Sequence, residues 1–513
     1  MEKYKELNNS SDLGQNKDLY TKIRRNSLYI LIERSLAPII NFLITVYIIR
    51  KLTVNDYGIY NILLAIMGYI SLFSSFGLPN IFKRYIPEFY EKKQISNLKT
   101  LVVKSLILRF MFSTAIIVII LVFSAQIGSL FKFKEALKYL TIFAIAIIFY
   151  LQTSLLSITL TSIFHHKRYV IAQISYVLFR ASIIYYLIKT GRGLFGLLIA
   201  ESIAFVFLFL LLGIFYQKSI QSHSREEKKD FPVKRIVRFG SFDFFNEMGA
   251  QVLSKTTDYF VISAFLSPVA VGIYAFADRA LQIISHFLPQ SIFMDLIQPA
   301  FFTKYAQNSE PKSLNNTFNF LVKINAFFVI PLIMGVLVVG DKFILYVFGN
   351  KYIEALPVLL IFASFGALNA FQFPLGLVVR SIERVEINLY SKIFAIYNLV
   401  LDIIVVKTFG IIGVALVTSS AILFKNIFIF IFARRYTYLS ICWYSILKIG
   451  INSFLMGVVL FFMKTVINNI YSFFMIIILG IIVYLLISYF NKVFNEGERK
   501  TINMILQRPI FVF

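Results

Sequence analysis

Continuous apolar blocks of about 20 residues recur along almost the whole chain, separated by short charged connections. That is the length a helix needs to cross the hydrocarbon core of a bilayer. The blocks are unbroken and do not alternate apolar with polar residues, so they exclude a transmembrane β-barrel. Read against the charged breaks, they predict an all-α polytopic membrane protein of about 14 transmembrane helices. The predicted spans are Ser27–Ile49, Tyr57–Phe82, Leu101–Phe123, Leu137–Phe164, Tyr169–Ile188 and Leu194–Tyr216. After a polar connection come Ile236–Leu266, Ala270–Phe302, Phe318–Val339, Ile353–Val379, Ile387–Val406, Ile411–Phe432, Trp443–Met463 and Tyr471–Phe490.

Composition agrees. Of 513 residues, 58% are hydrophobic and 15% charged, against about a quarter charged in an ordinary soluble chain. The net charge of +25 is no nucleic-acid footprint, because the basic residues cluster in the short connections, where orientation signals sit. One side of the membrane receives roughly thirty Lys and Arg, the other roughly ten, which predicts cytoplasmic termini in a cell membrane. The segment Met1–Lys22 is polar with mixed charge, so no cleavable signal peptide is expected before the first span. A single cysteine, Cys442, excludes an intrachain disulfide and a cysteine metal cluster.

Two short motifs recur six spans apart. Leu52-Thr-Val-Asn-Asp-Tyr-Gly-Ile-Tyr60 is echoed by Leu266-Ser-Pro-Val-Ala-Val-Gly-Ile-Tyr274, with Leu, Gly, Ile and Tyr in register. Lys189-Thr-Gly-Arg-Gly-Leu-Phe-Gly196 returns in shortened form as Lys407-Thr-Phe-Gly-Ile-Ile-Gly413. The pattern predicts two six-helix lobes related as parallel repeats around a central cavity. The expected division is a cytoplasmic N-tail at 1–23, an N-terminal lobe at 24–216 and a charged linker at 217–235. A C-terminal lobe at 236–434, a helical hairpin at 435–490 and a cytoplasmic C-tail at 491–513 complete it.

Function narrows by what is missing. The connections are too short for a soluble domain, there is no Walker-type phosphate loop, and no sugar-nucleotide or metal motif is present. Transport fits better than catalysis. An ionised group at the bilayer centre costs about 2.5–3.5 kcal/mol, so buried charges must line water, pair or snorkel. Lys104, Lys323, Lys392 and Lys425 lie near span ends, where snorkelling accounts for them. Asp243 and Glu247 share one helical face, which suits proton handling or a solvated rim. Arg34, Arg180 and Arg279 sit deeper, and a guanidinium fork suits phosphate oxygens. Internal pairing with Glu33 or Asp278 is the competing reading.

Arg50-Lys-Leu followed by Tyr57-Gly-Ile-Tyr-Asn-Ile, then Phe76-Gly-Leu and Tyr85-Ile-Pro-Glu88, resembles the opening of the oligosaccharide and polysaccharide flippases, the Wzx-like group. That group falls in the multidrug/oligosaccharidyl-lipid/polysaccharide exporter superfamily, with the lipid II flippases and the multidrug and toxic-compound exporters. The resemblance implies two six-helix lobes forming a V, plus two further helices. It also implies movement of polyprenyl-pyrophosphate-linked oligosaccharide units to the outer leaflet, for surface polysaccharide biosynthesis. The partners implied are that glycolipid, the bilayer, and glycan polymerases or glycosyltransferases. Ala277-Asp-Arg279 is similar to an eighth-helix pattern of the lipid II flippases whose arginine faces the substrate headgroup, and Arg34 to their first-helix arginine. Ile40 stands where a second first-helix arginine would be expected, which favours a glycolipid other than lipid II. Glu33 and Asp278 complete the expected substrate-binding set.

The same resemblance implies a sodium site built from Asp258, Asn398-Leu-Val-Leu-Asp402 and Val414-Ala-Leu-Val-Thr418. Asn398 and Asp402 share a helical face, as do Val414 and Thr418, so their oxygens can converge on one small hard cation. The competing reading is local: Asp402 caps or pairs, and Asp258 pairs with Lys255. No cofactor is expected beyond Na⁺ or H⁺ as coupling ion. The alternative function is a cation-coupled multidrug or small-molecule exporter of the same superfamily, which would need an acidic cavity.

Overall fold

The computed structural model describes residues 36–220, 231–286, 311–368, 371–384, 386–506 and 511–513. Among these there is no strand, and the chain is an all-α, multi-pass membrane protein. Ten helical stretches among the described residues are long and apolar enough to cross a membrane. The sequence expectation of fourteen is not reproduced. The first predicted span is described only from residue 36, the eighth only as far as residue 286, and Glu386–Ala433 is one stretch where the sequence predicts two spans.

The elements run α1 (residues 36–51), α2 (Val54–Ser75), α3 (Leu78–Glu91), α4 (Ile95–Val122), α5 (Ser124–Leu130), α6 (Lys134–Ser162), α7 (His166–Lys189) and α8 (Gly193–Ile220). Then follow α9 (Val233–Val252), α10 (Lys255–Phe265), α11 (Pro268–His286), α12 (Pro311–Phe343), α13 (Leu356–Leu368) and α14 (Gln372–Ser381). The last are α15 (Glu386–Tyr390), α16 (Ile393–Ala433), α17 (Trp443–Met463), α18 (Ile470–Asn491) and α19 (Glu496–Leu506).

Several predicted spans are broken. The second, expected over Tyr57–Phe82, divides at Phe76–Gly77, where two consecutive residues take positive φ. Beyond the break α3 carries its apolar residues on one face: Leu78, Ile81, Phe82, Tyr85, Ile86 and Phe89 are buried, and Lys83 and Arg84 are exposed. The seventh, expected over Ile236–Leu266, divides between α9 and α10 at Leu253–Ser254. In the opposite sense, α16 reverses within its length at Gly410, whose φ of 57° and ψ of −146° are non-helical. Glycine reaches that conformation without steric cost. The two runs on either side of Gly410 correspond to the predicted eleventh and twelfth spans.

The chain divides into two compact units: Met1–Leu52 with Ile66–Leu130 and Lys134–Met248, and Thr53–Ala65 with Phe131–Phe133 and Gly249–Phe513. In the first, the apolar face of α3 packs with Leu155, Leu156 and Leu160 of α6, Leu208 and Leu212 of α8, and Ile236 of α9. In the second, the two copies of the repeated Gly-Ile-Tyr motif meet. A Cβ on Gly58 would lie 1.8 Å from the Pro268 carbonyl oxygen, and one on Gly272 would lie 2.3 Å from that of Val54. Both glycines therefore permit backbone-to-backbone approach of α2 and α11.

Candidate functional site

The break between α9 and α10 places Asp258 in the first turn of a short helix, fully buried. Three donors reach its carboxylate. The Tyr274 hydroxyl (2.5 Å) and the Thr418 hydroxyl (2.8 Å) donate to Oδ2, and the Asn398 amide donates to Oδ1 at 3.4 Å. The reversal at Gly410 is what brings Asn398 and Thr418, from the two runs of α16, onto one carboxylate. Asp402 lies one turn beyond Asn398 and is also fully buried. Val414, one turn before Thr418, is buried as well.

The hydrogen bonding here is incomplete. Both carboxylate oxygens of Asp402 and the side-chain oxygen of Asn398 are buried with no protein partner. A buried polar atom without a partner costs about 1–3 kcal/mol, more for a charged group. Three such oxygens next to a second carboxylate are what a small hard cation, or a shared proton, would satisfy. The five residues expected to form a cation site thus share one buried neighbourhood. Tyr274 joins them, and sequence reasoning took it only as the end of a repeat. Its signal was its place two residues after Gly272, on the helix held against α2.

The local alternative for Asp258 is not what the structure has. Lys255 pairs with Asp278 at 2.5 Å, and its ammonium lies 3.6 Å from the centroid of the Phe362 ring. Asp278 also accepts from Gln282 at 2.8 Å. Arg279 differs from everything around it. In the run from Val271 to Ala280 it alone is exposed, and its nine neighbours are buried. Its guanidinium donates to Gln282 at 3.3 Å.

Arg180 has a different setting. Its fork is closed on Glu201, with Nε 2.8 Å from one carboxylate oxygen and Nη2 on the other, and Nη1 reaches Asn41 at 3.4 Å. Arg109, which sequence reasoning left unassigned, is buried within the same unit and donates to the Leu151 carbonyl, Ser154 and Ser71. Lys323, expected to snorkel, instead pairs with Glu498 of α19 at 2.9 Å. Arg34 and Glu33 lie outside the described residues, as does the side chain of Asp243.

The chain is 25% identical over 284 residues to a probable low-salt glycan biosynthesis flippase, Agl15, of Haloferax volcanii, covering 52% of this chain and 57% of that one. It is 29% identical over 174 residues to the teichuronic acid biosynthesis protein TuaB of Bacillus subtilis, covering 33% and 34%. The matches thus span less than two thirds of either relative. Among solved structures, the lipid II flippase MurJ in an inward closed conformation aligns with 94% of this chain and 99% of its own, at TM-score 0.67 and 18% identity. An inward-facing multidrug resistance MATE transporter aligns with 81% and 97%, at TM-score 0.62 and 14% identity. At those identities the likeness is one of fold. Residues 48–357, more than half of the chain, match the family described as polysaccharide biosynthesis protein, and to that family this membrane protein belongs.

Proposed function

We propose that this protein is a flippase that moves lipid-(pyro)phosphate-linked oligosaccharide units across the cytoplasmic membrane. It acts by transport, not catalysis, and works by alternating access of two lobes with both termini in the cytoplasm. The observation that carries the reading is Arg279, the exposed cation in an otherwise buried stretch of α11. A guanidinium presents donors in a fixed fork that matches phosphate oxygens. Beside it, Asp278 pairs with Lys255. The family match and the glycan-related names of the two relatives support a glycolipid cargo over the small-molecule exporter of the same superfamily.

Coupling would fall to the Asp258 cluster. Na⁺ there would be held by oxygens of Asp258, Asn398, Asp402 and Thr418, with the Val414 carbonyl as a further donor. Each charge carried through the membrane potential supplies about 2.3 kcal/mol per 100 mV. Tyr274 bonds Asp258 and Arg279 lies little more than one turn further along α11, so one helix joins the ion cluster to the cargo residue.

The test is export of surface glycan in cells carrying Arg279→Ala at native protein level. Loss of export is expected, with partial return in Arg279→Lys. Full export in the alanine variant would sink the arginine role.

A further inference from the structure

Lys392 and Lys425 take no part in the site above, and the snorkelling expected of them does not describe their setting. Both are half-buried. The two runs of α16 are antiparallel across Gly410, and their register can be followed pair by pair. Asn398 and Thr418 both bond Asp258. One turn further from Gly410, Ala395 and Ala421 pack into one apolar cluster with Leu253. One turn further again in the same register stand Lys392 and Lys425. The lysine pair therefore continues the face that carries the ion cluster, about 9 Å along the helix axis from it.

Neither lysine forms an ion pair among the described residues. Glu247 of α9 is held by Ser75 and Asn80. Gly249 of α9 leaves the Lys392 stem room: a Cβ there would lie 3.1 Å from the lysine Cγ. Lys392 is also the N-cap of α16, where the helix dipole already disfavours a cation. Two like charges, half out of water and without counter-ions among the described residues, are a cost that an anion bridging them would offset. Six ammonium donors suit a phosphate or carboxylate group, and nothing in the pair suits a neutral sugar.

We infer that Lys392 and Lys425 form a second anion-binding site, for a phosphate or carboxylate group, on the face of the α16 hairpin that carries the Asp258 cluster. Its ligand is either an acidic group of the cargo or an anionic lipid headgroup. The flippase reading gives the site its role in transport, but anion binding stands without it.

The test uses the full-length protein in a non-ionic detergent. Thermal unfolding is followed with potassium phosphate, potassium glucuronate or short-chain phosphatidylglycerol, each against potassium chloride at equal ionic strength. A saturable rise in Tm is expected with at least one of them. Response to phosphate or glucuronate identifies a cargo group, and response to phosphatidylglycerol alone identifies a lipid headgroup; either supports the site. Lys392→Gln and Lys425→Gln should each weaken the response by at least about tenfold, and Lys392→Arg should keep it. Without ligand, Lys425→Gln should unfold at or above the native temperature, because a repulsion is removed; a merely structural lysine would give the reverse. No anion exceeding chloride, or a response intact in the double glutamine variant, overturns the proposal. Since no transport is measured, the outcome is independent of whether the protein flips a glycan.

Discussion

The two units bury charge in opposite ways. In the first, Arg109 and Arg180 are cations held inside the protein, on Ser71, Ser154 and a main-chain carbonyl in one case and on Glu201 in the other, with Arg109 Nε left without a partner. In the second, Asp402 keeps two buried oxygens without a protein partner. Satisfied buried charge fixes how helices pack. Unsatisfied buried charge is retained at a cost and implies a ligand that removes it. The two arginines of the first unit thus hold helices together, whereas the Asp402 carboxylate of the second bonds nothing in the protein.

The comparison can be broken most directly at Arg180 and Glu201. Glu201→Leu leaves a guanidinium without its counter-ion and should cost about 3–5 kcal/mol, while Arg180→Leu with Glu201→Leu should recover most of that. Thermal unfolding of the three variants reads the effect. Arg279→Leu should leave Tm nearly unchanged, since its side chain is exposed. A large loss there would mean that Arg279 is also structural.

Next in size is the ion cluster. Saturating Na⁺ at about 100 times its dissociation constant should stabilise the native protein by about 2.7 kcal/mol relative to K⁺. Asp402→Asn should remove that difference without lowering the Tm measured in K⁺, because the carboxylate it replaces has no protein partner to lose. If the Na⁺ response survives in Asp402→Asn, the cation reading of this cluster fails; if it is absent in the native protein but unfolding depends on pH, the shared-proton reading stands.

The sequence made the spans legible because each is a long apolar run between charged breaks. It also placed Asp258, Asn398, Asp402, Val414 and Thr418 in one group, through motif spacing carried over from a resemblance. What it could not distinguish was Arg180 from Arg279. Both are mid-span arginines, and the difference lies in whether another helix brings a carboxylate, which no local pattern encodes. Glu201, on the next helix, showed only as one more charge. The break in the seventh span was hidden for a related reason: Leu253–Ser254 carries neither Gly nor Pro, so apolar content read as continuity across it. Tyr274 was missed because tyrosine is common at the ends of spans, and its bond to Asp258 exists only once α10 and α11 fold back on each other.

The repeat offers a smaller test. Gly58 and Gly272 face backbone atoms that cannot rotate away, so Gly58→Ala or Gly272→Ala should cost about 1–3 kcal/mol. Gly213 of α8, in the first unit, has nothing within 4 Å of the position a Cβ would take. Gly213→Ala should be neutral or stabilising by about 0.4–1 kcal/mol. Equal effects at the three positions would show that the α2–α11 approach is looser than its geometry.

The smallest effect separates exposed from buried pairing within the first unit. Glu88 on α3 accepts from Lys92 at 2.8 Å and from Arg235 of α9 at 3.1 and 3.3 Å, with Arg84 at 3.4 Å. Its carboxylate is 13% exposed, but all three cations are more than half exposed. The Lys92 hydrogen bond, with Arg235 behind it and burial working against both, holds its pKa below the usual glutamate range. A carboxylate whose folded pKa is depressed contributes its stability in full above the unfolded value, about 4.3, and loses it as pH falls through the folded value. The contribution is at most about 1 kcal/mol because the partners are solvated. The Tm gap between native protein and Glu88→Gln should therefore stay constant from pH 8 to about pH 5 and close below about pH 4. High salt should shrink it, because exposed pairs are screened. The gap produced by Glu201→Leu should resist salt, because that pair is buried. If the two gaps respond to salt alike, burial is not what distinguishes the structural arginines from the solvated ones.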